Sequence, residues 1–267
     1  MARPGSVQHI GVRQIGVRQI GELQERAARA VPAAAQQNAD GCWLRYTDSK
    51  GTWWAGAVLM HGRVPSRQLT ERIAVAEDFY LAHGEPARFQ VCPACPPDLD
   101  DALRRRRYGL ESVVSLLVIN AAQLAGRPLA PSLRVELKEQ ADAEWFELFM
   151  SAQAPGVDPA PERRLLQRVE GRSAYATVSV SSYPVAVGRA VADTGWVGVF
   201  SMATLPDARR RGAGGAVFAA LADWAVSQGF SRLYLQVEQH NTAALRLYRR
   251  AGFEEACTYH YRIATRS

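Results

Sequence analysis

The chain has 267 residues, 48% of them hydrophobic and 22% charged, with a net charge of +6 and a pI near 9.4. That length gives room for one large domain or two modest ones, and the composition is that of an ordinary soluble globular protein. No apolar run reaches the ~18–20 residues of a membrane span; the N-terminus lacks the apolar centre of a secretory signal, so the expected compartment is the cytoplasm, with no membrane partner. Lys50 and Lys138 are the only lysines. The positive charge is therefore almost all Arg, and with the Ala, Gly and Pro content this reads as GC-rich codon usage. Nucleic acid is not an expected partner, although high pI alone would suggest a polyanion.

The first twenty residues contain IGVRQ twice in succession, at 10–14 and 15–19. So short a period fits neither helix nor solenoid repeats, and residues 1–20 read as a flexible leader. A helix is expected at 22–35, strands at 42–47 and 53–60, and a helix at 66–82, where Leu69, Ile73, Ala76, Phe79 and Tyr80 recur at helical spacing. A strand at 87–92, a helix at 98–108 and a β-branched strand at 110–120 follow. Residues 121–131, with Gly126, Arg127-Pro128 and Ala130-Pro131, read as a linker.

Beyond it come a strand at 133–137, a helix at 142–152, a loop at 155–161, a helix at 162–169 and strands at 173–180, 185–192 and 196–204. A Gly-rich turn, a helix at 214–228, a strand at 232–238, a helix at 241–251 and a strand at 253–263 complete the pattern. A strand-rich middle flanked by helices predicts an α+β (mixed α/β) fold rather than a regular βαβ alternation. The halves also echo one another. Phe89-Gln90-Val91 and a helix ending Arg106-Arg107-Tyr108-Gly109-Leu110-Glu111 match Leu235-Gln236-Val237 and Arg249-Arg250-Ala251-Gly252-Phe253-Glu254. Two related lobes are expected: 21–120, then linker 121–131, then 132–267.

The cysteines are Cys42, Cys92, Cys95 and Cys257. Cys92-Pro-Ala-Cys95 has CxxC spacing, but no second CxxC and no His pair near it in sequence completes a metal site. Pro96-Pro97 directly after it argue against the helix that a redox motif opens. Reduced, unligated thiols and no metal are the expectation.

The chemistry concentrates at 202–216. A strand ends at Pro206, and Arg209-x-x-Gly212-x-Gly214 leads straight into an apolar helix. Converging backbone N–H groups and the helix dipole suit such a turn to a pyrophosphate, and glycine allows the phosphates to approach closely. About 27 residues beyond Gly214, Asn241 opens the next helix, and Tyr248 lies seven residues further. Seven residues are nearly two turns, so both side chains share a helix face.

In this segment the chain resembles the GNAT superfamily of N-acetyltransferases. An apolar strand, a Pro turn, RxxGxG, a strand, N-x-x-A-x-x-x-Y and x-x-x-G-F follow in order, with Asn241, Ala244, Tyr248, Gly252 and Phe253 in register. The resemblance covers most of 133–263. It implies two lobes, each a mixed twisted sheet flanked by helices, the first degenerate and the second catalytic. It further implies acetyl-CoA as cosubstrate and an amine acceptor, a small (antibiotic-type) molecule or a peptide N-terminus, on a monomer or weak homodimer.

By that resemblance the strands at 196–204 and 232–238 splay apart and pantetheine pairs with the exposed edge. Met202, Ala203 and Thr204 hold the pantetheine and acetyl carbonyl; Arg209, Arg210, Arg211, Gly212, Ala213, Gly214 and Gly215 hold the pyrophosphate; Asn241 bonds the pantetheine arm. An amide near Met202 stabilises the oxyanion, and Tyr248 protonates the departing thiolate. Some relatives carry a basic Glu where this chain has Gln236, which leaves Glu238, on the same strand face, as the candidate base, with His240 beside it. In the first lobe the counterpart of the Gly turn is 63–68, without glycine; Asp98 stands for Asn241 and Arg105 for Tyr248. That lobe is expected to bind no CoA and to complete the sheet or the acceptor pocket.

Overall fold

The computed structural model describes residues 15–153 and 155–265. The first IGVRQ copy and most of the expected leader lie outside them. The second copy does not fray: helix α1 runs Val17–Ala30 and buries Ile20, Leu23 and Ala27. This helix starts and ends about five residues earlier than the sequence pattern suggests, because Ala35–Ala39 (AQQNA) is not helical but an edge strand, β1. It pairs with β2 (Cys42–Tyr46) through Asp40-Gly41, both at positive φ, the backbone of a two-residue hairpin turn.

The expected strand at 53–60 is mostly a 3-10 turn at Trp53–Gly56, with only Val58–Met60 extended as β3. The remaining elements fall where their patterns put them, within a few residues. They are α2 (Ser66–Ala82), β4 (Arg88–Val91), α3 (Leu99–Arg105), β5 (Tyr108–Asn120), β6 (Leu133–Lys138), α4 (Ala143–Ser151) and α5 (Pro159–Gln167), then β7 (Ser173–Val180), β8 (Tyr183–Asp193), β9 (Trp196–Thr204), α6 (Ala213–Ser227), β10 (Arg232–Glu238), α7 (Thr242–Ala251) and β11 (Glu254–Ala264). Among the described residues no helix is long and apolar enough to cross a membrane.

All the strands join one 11-stranded mixed sheet, in the order β1-β2-β3-β4-β11-β5-β10-β9-β8-β7-β6. The sheet is continuous across the segment 121–131. β11, from the end of the chain, lies between β4 and β5, while β5, from the first half, separates β11 from β10. The two halves thus exchange strands. Among the described residues, only β3 with β4 and β9 with β10 run parallel.

Helices cover both faces. On β7, Ala174, Ala176 and Val178 belong to one core with α6, while Tyr175 between them belongs to another with Trp145 and Phe149 of α4; alternate residues of a strand face opposite ways. Cross-half polar contacts reinforce the exchange. Arg29 of α1 meets Asp193 at 2.7 Å, Arg26 bonds the Asp193 and Thr194 carbonyls, and Arg164 of α5 meets Asp48 at 2.7 Å.

Candidate active site

β9 and β10 are paired only at Leu233↔Val197 and Tyr234↔Gly198. Beyond that point β9 stays with β8 and β10 stays with β5, so the two parallel strands part and the facing edge of β9 is left open. A bulge in β9 accompanies the divergence: pairing with β8 shifts register between Val187↔Ala203 and Arg189↔Phe200, and Ser201 adopts φ +53°. A bulge re-aims backbone amides, which is the local geometry an oxyanion site needs.

A cleft of about 280 Å³ opens in this gap. Met202, Glu238, Asn241 and Tyr248 all line it, so the structure brings together four residues expected from sequence. A roomier hollow of about 600 Å³, lined by Glu139, Phe146, Arg163, Tyr175 and Trp224 among others, contains none of the expected residues.

Thr204 ends β9, and its carbonyl accepts from Arg209 Nε at 3.3 Å. Pro206–Ala208 form a single 3-10 turn, Arg210 takes φ +62°, and Gly212 caps α6 in the left-handed region at φ +87°. A side chain at Gly212 would be strained by backbone conformation alone. No side chain caps α6, so the first-turn N–H groups of Ala213, Gly214 and Gly215 face outward as at any helix start. Arg209, Arg210 and Arg211 are exposed around them. Gly214 has a packing reason too, since its Cβ would lie 3.2 Å from Leu247 of α7.

Tyr248 is 7% exposed and wedged against Phe218 and Phe253, with ring centroids 5.4 and 6.0 Å away. None of the described residues hydrogen-bonds its hydroxyl, and burial pushes its pKa up to about 12. It stays protonated through neutral pH and presents that proton to the cleft. Asn241 is the N-cap of α7, its side chain accepting from Ala244 N at 3.1 Å; its amide N–H₂ is left to donate.

Glu238 ends β10, accepts from Ser112 Oγ at 2.7 Å and lies 3.2 Å from His240 Nε2. Gln236, two residues earlier, donates to Gln24 of α1 at 2.6 Å. Sequence reasoning missed two other charged residues of the cleft. Glu162 of α5 is 2% exposed and accepts from Ser49 and, at 2.9 and 2.8 Å, from Thr52. Arg189 is 1% exposed, donates to Ser201 Oγ at 3.3 Å and lies over the Phe200 ring, while burial lowers its pKa. Arg189 had a legible signal, a lone cation inside the apolar run of β8. Glu162 had none, because its partners are over 100 residues away. Val31, Gly51, Thr52 and Trp54, all from the first half, also line the cleft.

The family model described as "Probable histone acetyltransferase Rv0428c C-terminal" matches residues 17–262. The chain is 27% identical over 243 residues to the uncharacterized N-acetyltransferase YobR of Bacillus subtilis (strain 168), covering 90% of this chain and 96% of that one. Among solved structures, a GCN5-related N-acetyltransferase from Kribbella flavida superposes with a TM-score of 0.71 at 18% identity, over 98% of both chains. A tandem GNAT protein from the clavulanic acid biosynthesis pathway gives 0.65 at 12% identity, over 94% of this chain and 88% of that one.

Proposed function

The chain belongs to the Rv0428c C-terminal family of GNAT-type N-acetyltransferases, and from that membership we propose that it transfers the acetyl group of acetyl-CoA to a primary amine in a ternary complex. The observation that carries this reading is the coincidence, at one cleft, of an open β9 edge, a bulge at Ser201 and a Tyr248 hydroxyl without a partner among the described residues, with the uncapped α6 start following β9 in the chain. The residues fit the cosubstrate chemically. Outward N–H groups of Ala213–Gly215, with Arg209–Arg211 around them, suit the pyrophosphate. The free edge of Met202–Thr204 suits the amide-bearing arm, and Asn241 can donate to it.

The cleft's own groups then divide the chemistry. Holding amine and thioester together makes attack effectively unimolecular. The backbone N–H groups beside the bulge meet the developing oxyanion. Tyr248 gives its hydrogen to the leaving sulfur. Glu238, open to solvent on one side and reaching the cleft on the other, takes the amine proton, and His240 can pass it outward. Glu162 is the poorer base because its oxygens are occupied by Ser49 and Thr52; it gives the cleft a negative wall that attracts a cationic amine.

The acceptor is slender. Trp54 and Gly51 narrow a cleft of about 280 Å³, a size that admits a small amine, a peptide N-terminus or a single lysine side chain. The family's description as a probable histone acetyltransferase makes a lysine-bearing peptide one arm of the test. Acetyl-CoA turnover is measured against a panel of small amines, peptide N-termini and lysine peptides, and thiol release with at least one class is expected. Tight acetyl-CoA binding with background thiol release on every amine would instead identify a sensor.

A further inference from the structure

We propose that His61, Cys92 and Cys95 form a zinc site in the first half of the chain, with three protein ligands and a fourth position for water or another small ligand. The sequence expectation of unligated thiols overlooked His61, which is 31 residues away in sequence from Cys92 but adjacent in space. β3 and β4 are parallel neighbours; His61 leaves the end of one and Cys92 the end of the other. Gly62 N donates to Ala94 O at 2.8 Å across the two loops, and α1 closes over them. A Cβ on Gly21 would lie 3.0 Å from Ala94 Cβ and 3.4 Å from His61 Nδ1, so glycine sets this close approach.

The donor geometry is that of a tetrahedral metal. The Cys92 and Cys95 sulfurs are 3.7 Å apart. Two sulfurs each about 2.3 Å from one zinc ion lie about 3.8 Å apart at the tetrahedral angle, whereas a disulfide needs about 2.05 Å. One ligand atom from each of the three residues falls within 4.8 Å of the others. His61 Nδ1 lies 3.0 Å from Glu25 Oε1, which leaves Nε2 as the outward nitrogen, and that atom is buried without a hydrogen-bond partner among the described residues. An orphan imidazole nitrogen is costly; a carboxylate behind the other nitrogen is the usual support for a metal-bound histidine. Two thiolates and an imidazole select zinc over magnesium or calcium.

β3 with β4 corresponds to β9 with β10, the other parallel pair. In the second half the pair opens into a cleft; in the first half its ends are pinned together.

The full chain, purified under reducing conditions, is analysed for metal, stripped and titrated with cobalt(II). The expected result is one zinc per chain, and a cobalt complex with thiolate charge-transfer absorption and intense tetrahedral d–d bands. Cys92→Ser, Cys95→Ser and His61→Ala are expected to lose that spectrum, Cys42→Ser and Cys257→Ser to keep it, and Glu25→Ala to weaken zinc affinity by about 10–100-fold. Weak, aquo-like cobalt absorption by the wild-type chain would overturn the proposal even if every ligand variant fails to fold. So would an intact mass two hydrogens lower from a Cys92–Cys95 disulfide in the protein as isolated from reducing cytosol. Neither readout depends on acetyl transfer.

Discussion

Tyr248 is a hydroxyl on an aromatic shelf, held by Phe218 and Phe253 and without an acceptor among the described residues. Removing the hydroxyl while keeping the ring leaves the shelf intact. Tyr248→Phe is therefore expected to lower kcat by about 10²–10⁴-fold with little change in acetyl-CoA affinity; single-turnover kinetics and calorimetric binding separate the two, and an unchanged kcat would remove the hydroxyl from the chemistry. Glu238 and Glu162 make opposite predictions. Glu238→Gln leaves the amine to lose its proton to solvent, so the rate should fall near neutrality and climb toward the pKa of the free amine, about 10; a superposable pH–rate profile would argue that Glu238 is no base. Glu162→Gln weakens the acceptor of Ser49 and Thr52, hydrogen bonds to a charge worth about 1.5–3 kcal/mol each, and should show chiefly as a lower melting temperature.

At the scale of elements, α3 is locked to β11 by Asp100, which meets Arg262 at 2.8 and 3.1 Å and His260 at 2.7 Å. The Arg262 guanidinium, then His260, hold the Asp100 carboxyl down to about 2, against desolvation. A depressed folded pKa stabilises the protein above the unfolded value of about 3.9 and ceases to do so as pH falls through the folded one. Stability from this contact is present above pH 4 and disappears between about pH 4 and pH 2. Asp100→Asn should flatten melting temperature against pH across that window, and an unaltered acid slope would assign the effect to other carboxylates. Elements with a strong period were legible: α2, β7, β9 and β10 lie where the pattern of their residues puts them. β1 was not, since AQQNA offers neither β-branching nor alternation, and only the Asp40-Gly41 turn betrayed the hairpin. The Gly-rich turn before α6 and Tyr248 in the cleft were readable because the pattern that points to them sits within one continuous segment. Glu162 and His61 were not, because their neighbours are distant in sequence and are brought to them by the sheet; Arg189 left only the weaker mark of a lone cation in an apolar strand.

For the whole molecule, the strand order has the first half's β1-β2-β3-β4 on one flank and the second half's β10-β9-β8-β7 on the other, around an exchanged β11-β5 centre. The order of strands on one flank mirrors that on the other. It also means that residues 132–267 contain the candidate cofactor site but not β5, to which both β10 and β11 are paired. Expressed alone, that fragment should be insoluble or lack a cooperative melt, and co-expression with 1–125 should restore soluble, acetyl-CoA-binding protein; a soluble, active fragment would show that β5 is dispensable. The placing of β11 also bears on how the protein is made. A ribosome delivers β4 and β5 long before their shared neighbour, so for over a hundred residues of synthesis each has an apolar edge waiting for a strand not yet translated. The centre of the sheet closes only once β11 has been translated, and until then the nascent chain has its greatest need of a chaperone.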